Sequence, residues 1–214
     1  MVAIAPANAS INDFGGEAPW LGASGVAALA AAVRIVGGAP LRAAEDRIGR
    51  RLVALVVALQ RSDDDATTTA LLGLVGYGPG LTPSGDDAIL GLLCVLKRGR
   101  EPGIAAATLL VASLAPLLHR TTAVSIHQLR RAIAGSFPAA VSAVTEAATK
   151  MADASDVRAP GAFLAAAVET LMRLGATSGA DTIAGVLAGF QLLVAPPVLS
   201  PRAGRGACEP GVGL

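Results

Sequence analysis

The run from Gly76 to Leu93, Gly-Tyr-Gly-Pro-Gly-Leu-Thr-Pro-Ser-Gly-Asp-Asp-Ala-Ile-Leu-Gly-Leu-Leu, allows fewer conformations than any other part of this chain. Glycine permits positive φ and proline removes most alternatives, so the opening residues, packed among hydroxyls, specify one tight loop. From Ala88 to Leu96 the residues turn apolar, broken only by Gly91. Such a switch marks a loop that ends where a helix begins. Ser84 has the character of an N-cap, and Asp87, three residues on, can return a hydrogen bond to the Ser84 amide, a capping box with Asp for the usual Glu. The first backbone N–H groups of such a helix have no partner within it and favour negative charge.

The same element recurs near the other end. Ser84-Gly85-Asp86-Asp87-Ala88-Ile89-Leu90-Gly91-Leu92-Leu93 aligns without a gap on Ser178-Gly179-Ala180-Asp181-Thr182-Ile183-Ala184-Gly185-Val186-Leu187. Both read Ser-Gly-x-Asp-x-Ile-x-Gly-apolar-Leu, which predicts two structurally equivalent helix starts. A glycine inside a helix costs about 1 kcal/mol relative to alanine. Gly91 and Gly185 therefore predict an offsetting gain, most simply close backbone approach between packed helices.

Hydrophobic residues make up 53% of the 214 residues and aromatics only 3%. The interior must then be built of Ala, Leu, Val and Ile, with helices closely spaced; the length suits one domain with a good core. Charged residues are 15% and the net charge is +1, and no basic stripe is interleaved with aromatics, so nothing marks a nucleic-acid surface. A mean hydropathy of +0.59 raises the question of a membrane span. The best stretch, 182–200, has only Gln191 as a strongly polar residue, but Pro196 and Pro197 cut its last turn and no basic residue flanks its start. A buried central helix, apolar all round, is the favoured reading, with no membrane partner. The residues Met1 to Ala5 lack a basic region and Pro6 breaks the apolar stretch, so no signal peptide is expected. Cys94 and Cys208 fit neither metal-ligand spacing nor a disulfide framework, and the expected location is the cytoplasm.

Residues 1–20 are loosely patterned. Helices are expected at 23–36, ended by Gly37-Gly38, and from Pro40, where Leu41, Ala44, Ile48, Leu52, Leu55, Val56 and Leu59 recur at helical spacing with Arg42, Asp46 and Arg50 on the solvated face. The acidic run 62–65 reads as the cap of a helix over 66–74. Further helices are expected after the glycine loop as far as Lys97-Arg98-Gly99, at 102–118, after a polar patch as far as Gly135, at 138–151, at 160–174 and after the second Ser-Gly element. No strand period appears after residue 40. The expected fold is all-α, a compact bundle of about eight or nine closely packed Ala-rich helices. Its parts are 1–38 (an irregular lead-in and first helix), 39–197 (the helical domain) and 198–214 (a Gly/Pro-rich tail expected to be disordered).

The polar patch His119-Arg120-Thr121-Thr122-Ala123-Val124-Ser125 has two readings. It is a cap whose hydroxyls bond back to the preceding turn, or a second wall of an anion site in which Arg120 supplies a forked donor. His119 and His127 lack ligand spacing and read as surface or packing residues; Cys94 reads as a core filler, with no base near it in sequence. The Gly-Pro-Gly loop has no following lysine and is not a Walker motif.

Three segments together resemble one bacterial family: Gly78-Pro79-Gly80-Leu81-Thr82-Pro83-Ser84-Gly85-Asp86-Asp87; Arg120-Thr121-Thr122 with Ser125, Leu129, Ala132 and Gly135; and Thr177-Ser178-Gly179-Ala180-Asp181-Thr182 with Gly185. That family, long filed as a domain of unknown function, includes the AllH-type subunit of oxamate carbamoyltransferase. The similarity runs over residues 40–195; family members usually carry a longer, β-containing N-terminal region than this chain does. The resemblance implies carbamoyl transfer between phosphate and oxamate in purine (allantoin) nitrogen catabolism, within a complex that includes other protein subunits. It carries over no catalytic residue. Its substrates are small anions, and the residues suggest how to hold one: amides near Gly78, Gly80, Ser84, Gly85, Ser178 and Gly179, hydroxyls of Thr82, Ser84, Thr121, Thr122, Ser125 and Thr177, and the charge of Arg120. Asp86, Asp87 and Asp181 sit awkwardly beside an anion. Either Asp87 and Asp181 complete capping boxes and Asp86 bonds loop amides, or one or more of them holds Mg²⁺ or orients the substrate's amide nitrogen. The alternative function is a non-catalytic assembly or regulatory subunit that docks partner chains.

Overall fold

The computed structural model of the chain describes residues 23–99, 101–153 and 158–194. The glycine pair Gly37-Gly38 ends the first helical stretch as expected and Pro40 sits at the opening of the next, the two running on as one kinked element. Helix α1 spans Ala23–Gln60 and breaks at Gly38 (φ 53°, ψ −140°), two residues before Pro40. Then come α2 (Asp64–Leu72), α3 (Ser84–Arg98), α4 (Gly103–Leu114) with a 3₁₀ turn over Ala115–Arg120, α5 (Ala123–Ile133), α6 (Ala139–Asp153), α7 (Arg158–Met172) and α8 (Ser178–Val194). No strand occurs among the described residues, and the protein is all-α as expected. The irregular lead-in of 1–20 and the tail after 198 lie outside the described residues.

Local chemistry sets several of these ends. The Asp63 carboxylate accepts from the Ala66 amide at 2.9 Å and caps α2, as the acidic run implies. Thr122 caps α5, its hydroxyl oxygen accepting from the Ser125 amide at 3.1 Å. The cations closing α3 reach across to neighbours. Lys97 Nζ donates to the Ile133 carbonyl at 2.6 Å, and Arg98 donates to the Ser142 hydroxyl at 2.8 Å, tying α3 to the end of α5 and to α6.

Helices α3 and α8 form the centre and share the most extensive helix–helix packing in the molecule, with α1 next against α8. Every residue from Ser84 to Leu96 and from Gly179 to Phe190 is buried, whereas Gln191, the next residue, is exposed. The pair packs backbone on backbone. A Cβ added at Gly185 would lie 1.9 Å from the Ala88 carbonyl oxygen, and one at Gly91 would lie 2.1 Å from that of Thr182. Gly189 in turn faces Val95. Thr82, just before α3, meets Ser178 at the start of α8, Val95 meets Gly189 further along, and Gly99 after α3 faces Leu193 near the end of α8, so the two helices run parallel with their N-termini at the same end.

The described part of the apolar stretch weighed as a membrane span, 182–194, therefore belongs to the helix at the heart of the bundle. By length and composition one described stretch, Gly103–Arg120, is apolar enough to cross a membrane. It is divided between α4 and the 3₁₀ turn, and α4 packs on α2 and α3.

The glycine contact gives a paired expectation. Gly185→Ala forces a methyl into a carbonyl that neither helix can move, so its cost should reach or pass the upper end of the ~1–3 kcal/mol usual for overpacking. Gly49→Ala, on α1 with nothing within 4 Å of an added Cβ, should be neutral or stabilise by up to about 1 kcal/mol. Urea unfolding of both variants checks this, and equal effects would contradict the packing described.

Candidate functional site

Each central helix is launched by the same backbone device. Upstream of α3, the Tyr77 amide donates to the Leu74 carbonyl (2.9 Å) and the Gly85 amide to the Tyr77 carbonyl (2.9 Å). Upstream of α8, the Leu174 amide donates to the Leu171 carbonyl (3.0 Å) and the Gly179 amide to the Leu174 carbonyl (3.1 Å). The leucine carbonyl presses on the helix start so closely that an added Cβ would come within 1.9 Å at Gly85 and 2.1 Å at Gly179. Both Ser-Gly glycines are required by this approach. The first copy carries the longer loop between these anchors, with Gly76, Gly78 and Gly80 at φ 74°, 111° and 98°, values only glycine adopts readily.

This device corrects the capping boxes. The N-cap of α3 is Pro83, which offers no side chain to bond, and Ser84 is the first helical residue. Tyr77 draws the Gly85 amide towards itself, and the Asp86 and Asp87 amides go to the Pro83 carbonyl at 2.9 and 3.1 Å, so Asp87 closes no box with Ser84. Asp181 closes none either: its Oδ1 accepts from Arg47 Nη2 at 2.8 Å. The expected amide cradle shrinks for the same reason, since the Gly85 and Gly179 amides are already spent. The Ser84 and Ser178 amides have no backbone acceptor among the described residues.

The two helix starts meet. Thr82 Oγ1 lies 2.9 Å from Ser178 Oγ, joining residues 96 apart in sequence. Asp87 and Asp181, equivalent positions of the two copies, are both buried, at 4% and 0% exposure, and Asp87 lies against this contact. Asp181 has Arg47 as its counter-ion. Asp87 has none among the described residues, and burial pushes its carboxyl up from 3.8 to about 7, against the nearby Ser178 and Thr82 hydroxyls and with the charges of Asp181 and Asp86 adding to the rise. Those hydroxyls bond each other, and Oδ2 of Asp87 is left without a partner, as is Oδ2 of Asp181. Asp86 is different. Its Oδ1 accepts from the Gly76 amide at 2.9 Å and its Oδ2 from the Thr121 hydroxyl, the loop-bonding role foreseen for it.

The middle motif holds the loop from outside. Thr122, besides capping α5, donates its hydroxyl to the Leu81 carbonyl; Ser125 is buried with its Oγ unpartnered. Arg120 is exposed, and it is its carbonyl that faces the loop, 2.7 Å from where a Gly76 Cβ would be. Gly78 backs onto Ser84, Gly80 lies open at the tip, and Thr177 is exposed while its carbonyl accepts from the Asp181 amide at 3.0 Å. No group of three or more His, Cys, Asp or Glu that could hold a metal occurs among the described residues. Cys94 is buried in α3 beside Thr145, and burial raises its thiol further from ionisation, which suits a core filler.

Sequence reasoning missed Arg47, Arg51 and Tyr77. Arg51 stacks its guanidinium 3.8 Å from the centre of the Tyr77 ring and donates to the Arg47 carbonyl at 3.4 Å. One turn apart on α1, the two arginines flank both helix starts. A signal was present: the row Ala44, Arg47, Arg51, Leu55 follows helical spacing, and Ala44 and Leu55 at its ends are wholly buried.

Fold and cluster together define an all-helical protein with one composite polar site at the joined starts of its two central helices. The chain belongs to the AllH family: residues 74–190, more than half of its length, match the family model described as oxamate carbamoyltransferase subunit AllH. The arginines of α1 come from outside the matched span. No solved structure matches the chain.

The raised Asp87 carboxyl has a measurable consequence. Below its unfolded value of 3.8 both states are protonated and ionisation adds no cost to the burial. Between 3.8 and about 7 the unfolded chain gives up the proton that the folded chain keeps, so stability falls as pH rises, and the loss is complete above about 7. Asp87→Asn should therefore match the parent near pH 4 and exceed it above pH 7, by up to about 4 kcal/mol. Denaturant titrations of both proteins across this range test it; a difference independent of pH would contradict it.

Proposed function

We propose that this chain is a carbamoyltransferase-type subunit of the kind its family is named for, and that it holds a small anionic substrate (phosphate, carbamoyl phosphate or oxamate) at the paired starts of α3 and α8. The observation that carries this reading is the 2.9 Å contact of Thr82 with Ser178. It sets two parallel helix ends side by side, each equivalent to roughly half a positive charge, and adds two hydroxyls. Arg51, stacked on Tyr77 at the base of the loop that leads into α3, would supply a further cation. The carboxylates do not defeat an anion here: Asp181 is matched by Arg47, and Asp87 is half-protonated near neutral pH. The amides of Ser84 and Ser178 and the hydroxyls of Thr82 and Ser178 would orient the bound group, and Arg51 would balance charge that develops on a departing phosphate.

The family's printed description is that of a subunit, and the reading therefore includes partner chains in a cytoplasmic complex. Leu81, 72% exposed at the tip of the loop that covers the site, favours a second reading in which the loop docks a partner and the chain shapes an active site without performing chemistry itself.

Calorimetry of the chain with carbamoyl phosphate, phosphate and oxamate, alone and with its partner subunits, separates these. Binding at this site is expected, and Arg51→Gln should weaken it by about tenfold or more, while Arg42→Gln on the solvated face should leave it unchanged. Tight association with partners but no anion binding in either setting would favour the docking reading and overturn the first.

A further inference from the structure

Two buried oxygen atoms in the cluster have nothing to bind. They are Oδ2 of Asp87 and Oδ2 of Asp181, on side chains 4% and 0% exposed, at equivalent places in the first turns of α3 and α8. Buried acceptors normally find donors, because an unsatisfied one loses its water and gains nothing in return. The neighbouring Asp86 obeys that rule with both oxygens engaged. The pair beside it does not; the Asp87 carboxyl lies against the Thr82 and Ser178 hydroxyls and close enough to Asp181 for their charges to interact.

The missing partner must bring donors. A carboxylate or phosphate oxygen brings none. A metal ion is opposed by the Arg47 guanidinium already paired with Asp181, and no group of three or more acidic, His or Cys residues is assembled among the described residues. A primary amide fits: one nitrogen carries two N–H groups, and the adjoining carbonyl oxygen can accept from a serine or threonine hydroxyl.

We infer that Asp87 and Asp181 are the specificity-determining residues of this site, selecting a primary carboxamide, –C(=O)NH₂, over a carboxylate by accepting its N–H groups on their free oxygens. The inference rests on the anion-site reading above: the ligand's charged end lies towards Arg51 and the Ser84 and Ser178 amides, and its amide end lies between the two aspartates. Two compounds of nearly the same shape separate these parts, since oxamate has an amide where oxalate has a second carboxylate.

Calorimetric titration of the unmodified chain, with its partner subunits present, should find oxamate bound at least about tenfold tighter than oxalate. Asp87→Asn removes a charge and offers an N–H to a carboxylate, and it should narrow that ratio by about tenfold; circular dichroism confirms that the variant is folded. Equal affinity for the two compounds in the unmodified chain, or an unchanged ratio in the variant, overturns the inference and leaves the anion site standing. Failure of both compounds to bind overturns the two together. Binding of Mg²⁺ by the chain alone, lost in Asp87→Asn, would assign the oxygens to a cation and overturn the carboxamide inference.

Discussion

Where Gly185 rests against the carbonyl of Ala88, and Gly91 against that of Thr182, two helices touch through their backbones with no side chain between them. Everything else in the molecule accommodates that contact. It explains an interior almost without aromatics, since wide side chains would hold the pair apart, and it explains two helix glycines that propensity alone disfavours. It also forces an electrostatic problem. Parallel helices this close set their positive ends together, and the dipoles oppose one another. The acidic residues of the first turns answer it: Asp86 and Asp87 at one start and Asp181 at the other place negative charge, or a carboxyl able to acquire it, at the positive poles.

That answer is uneven, and the unevenness is what makes a site out of a packing solution. Had α1 brought a cation to each of the equivalent aspartates, the cluster would be closed. It brings Arg47 to Asp181 and lays Arg51 on Tyr77 instead. Asp87 stays buried without a counter-ion among the described residues, its carboxyl about half-ionised near neutral pH. Groups held in such environments cluster at functional sites, because a fold has no packing reason to keep them.

The sequence made the central contact legible because a glycine in the middle of an apolar helix has few other uses. Two of them at the same place in two matching segments pointed to each other. The all-helical bundle was legible from the 3.6-residue period, and the loop from its glycines and prolines. The caps were not. Whether Ser84 or Pro83 ends the loop depends on the Tyr77 carbonyl drawing in the Gly85 amide, and no spacing rule contains that bond. Arg47 and Arg51 escaped notice because they lie at the border of α1, beside the solvated row of Arg42, Asp46 and Arg50. Arg120, chosen for its place in a polar patch, turned outward because the 3₁₀ turn before it presents its carbonyl, not its guanidinium, to the loop.

The account stands or falls on whether the two helix starts are neighbours. A disulfide reports that directly: with Cys208 changed to serine and Cys94 buried in the core, Thr82→Cys and Ser178→Cys replace hydroxyl oxygens that lie 2.9 Å apart. The double variant should form an intramolecular bond rapidly and nearly completely under mild oxidation of the folded protein, and not when it is oxidised in denaturant at the same concentration. Two thiols that stay free in the folded state would put the starts of α3 and α8 apart and contradict the site built on their meeting.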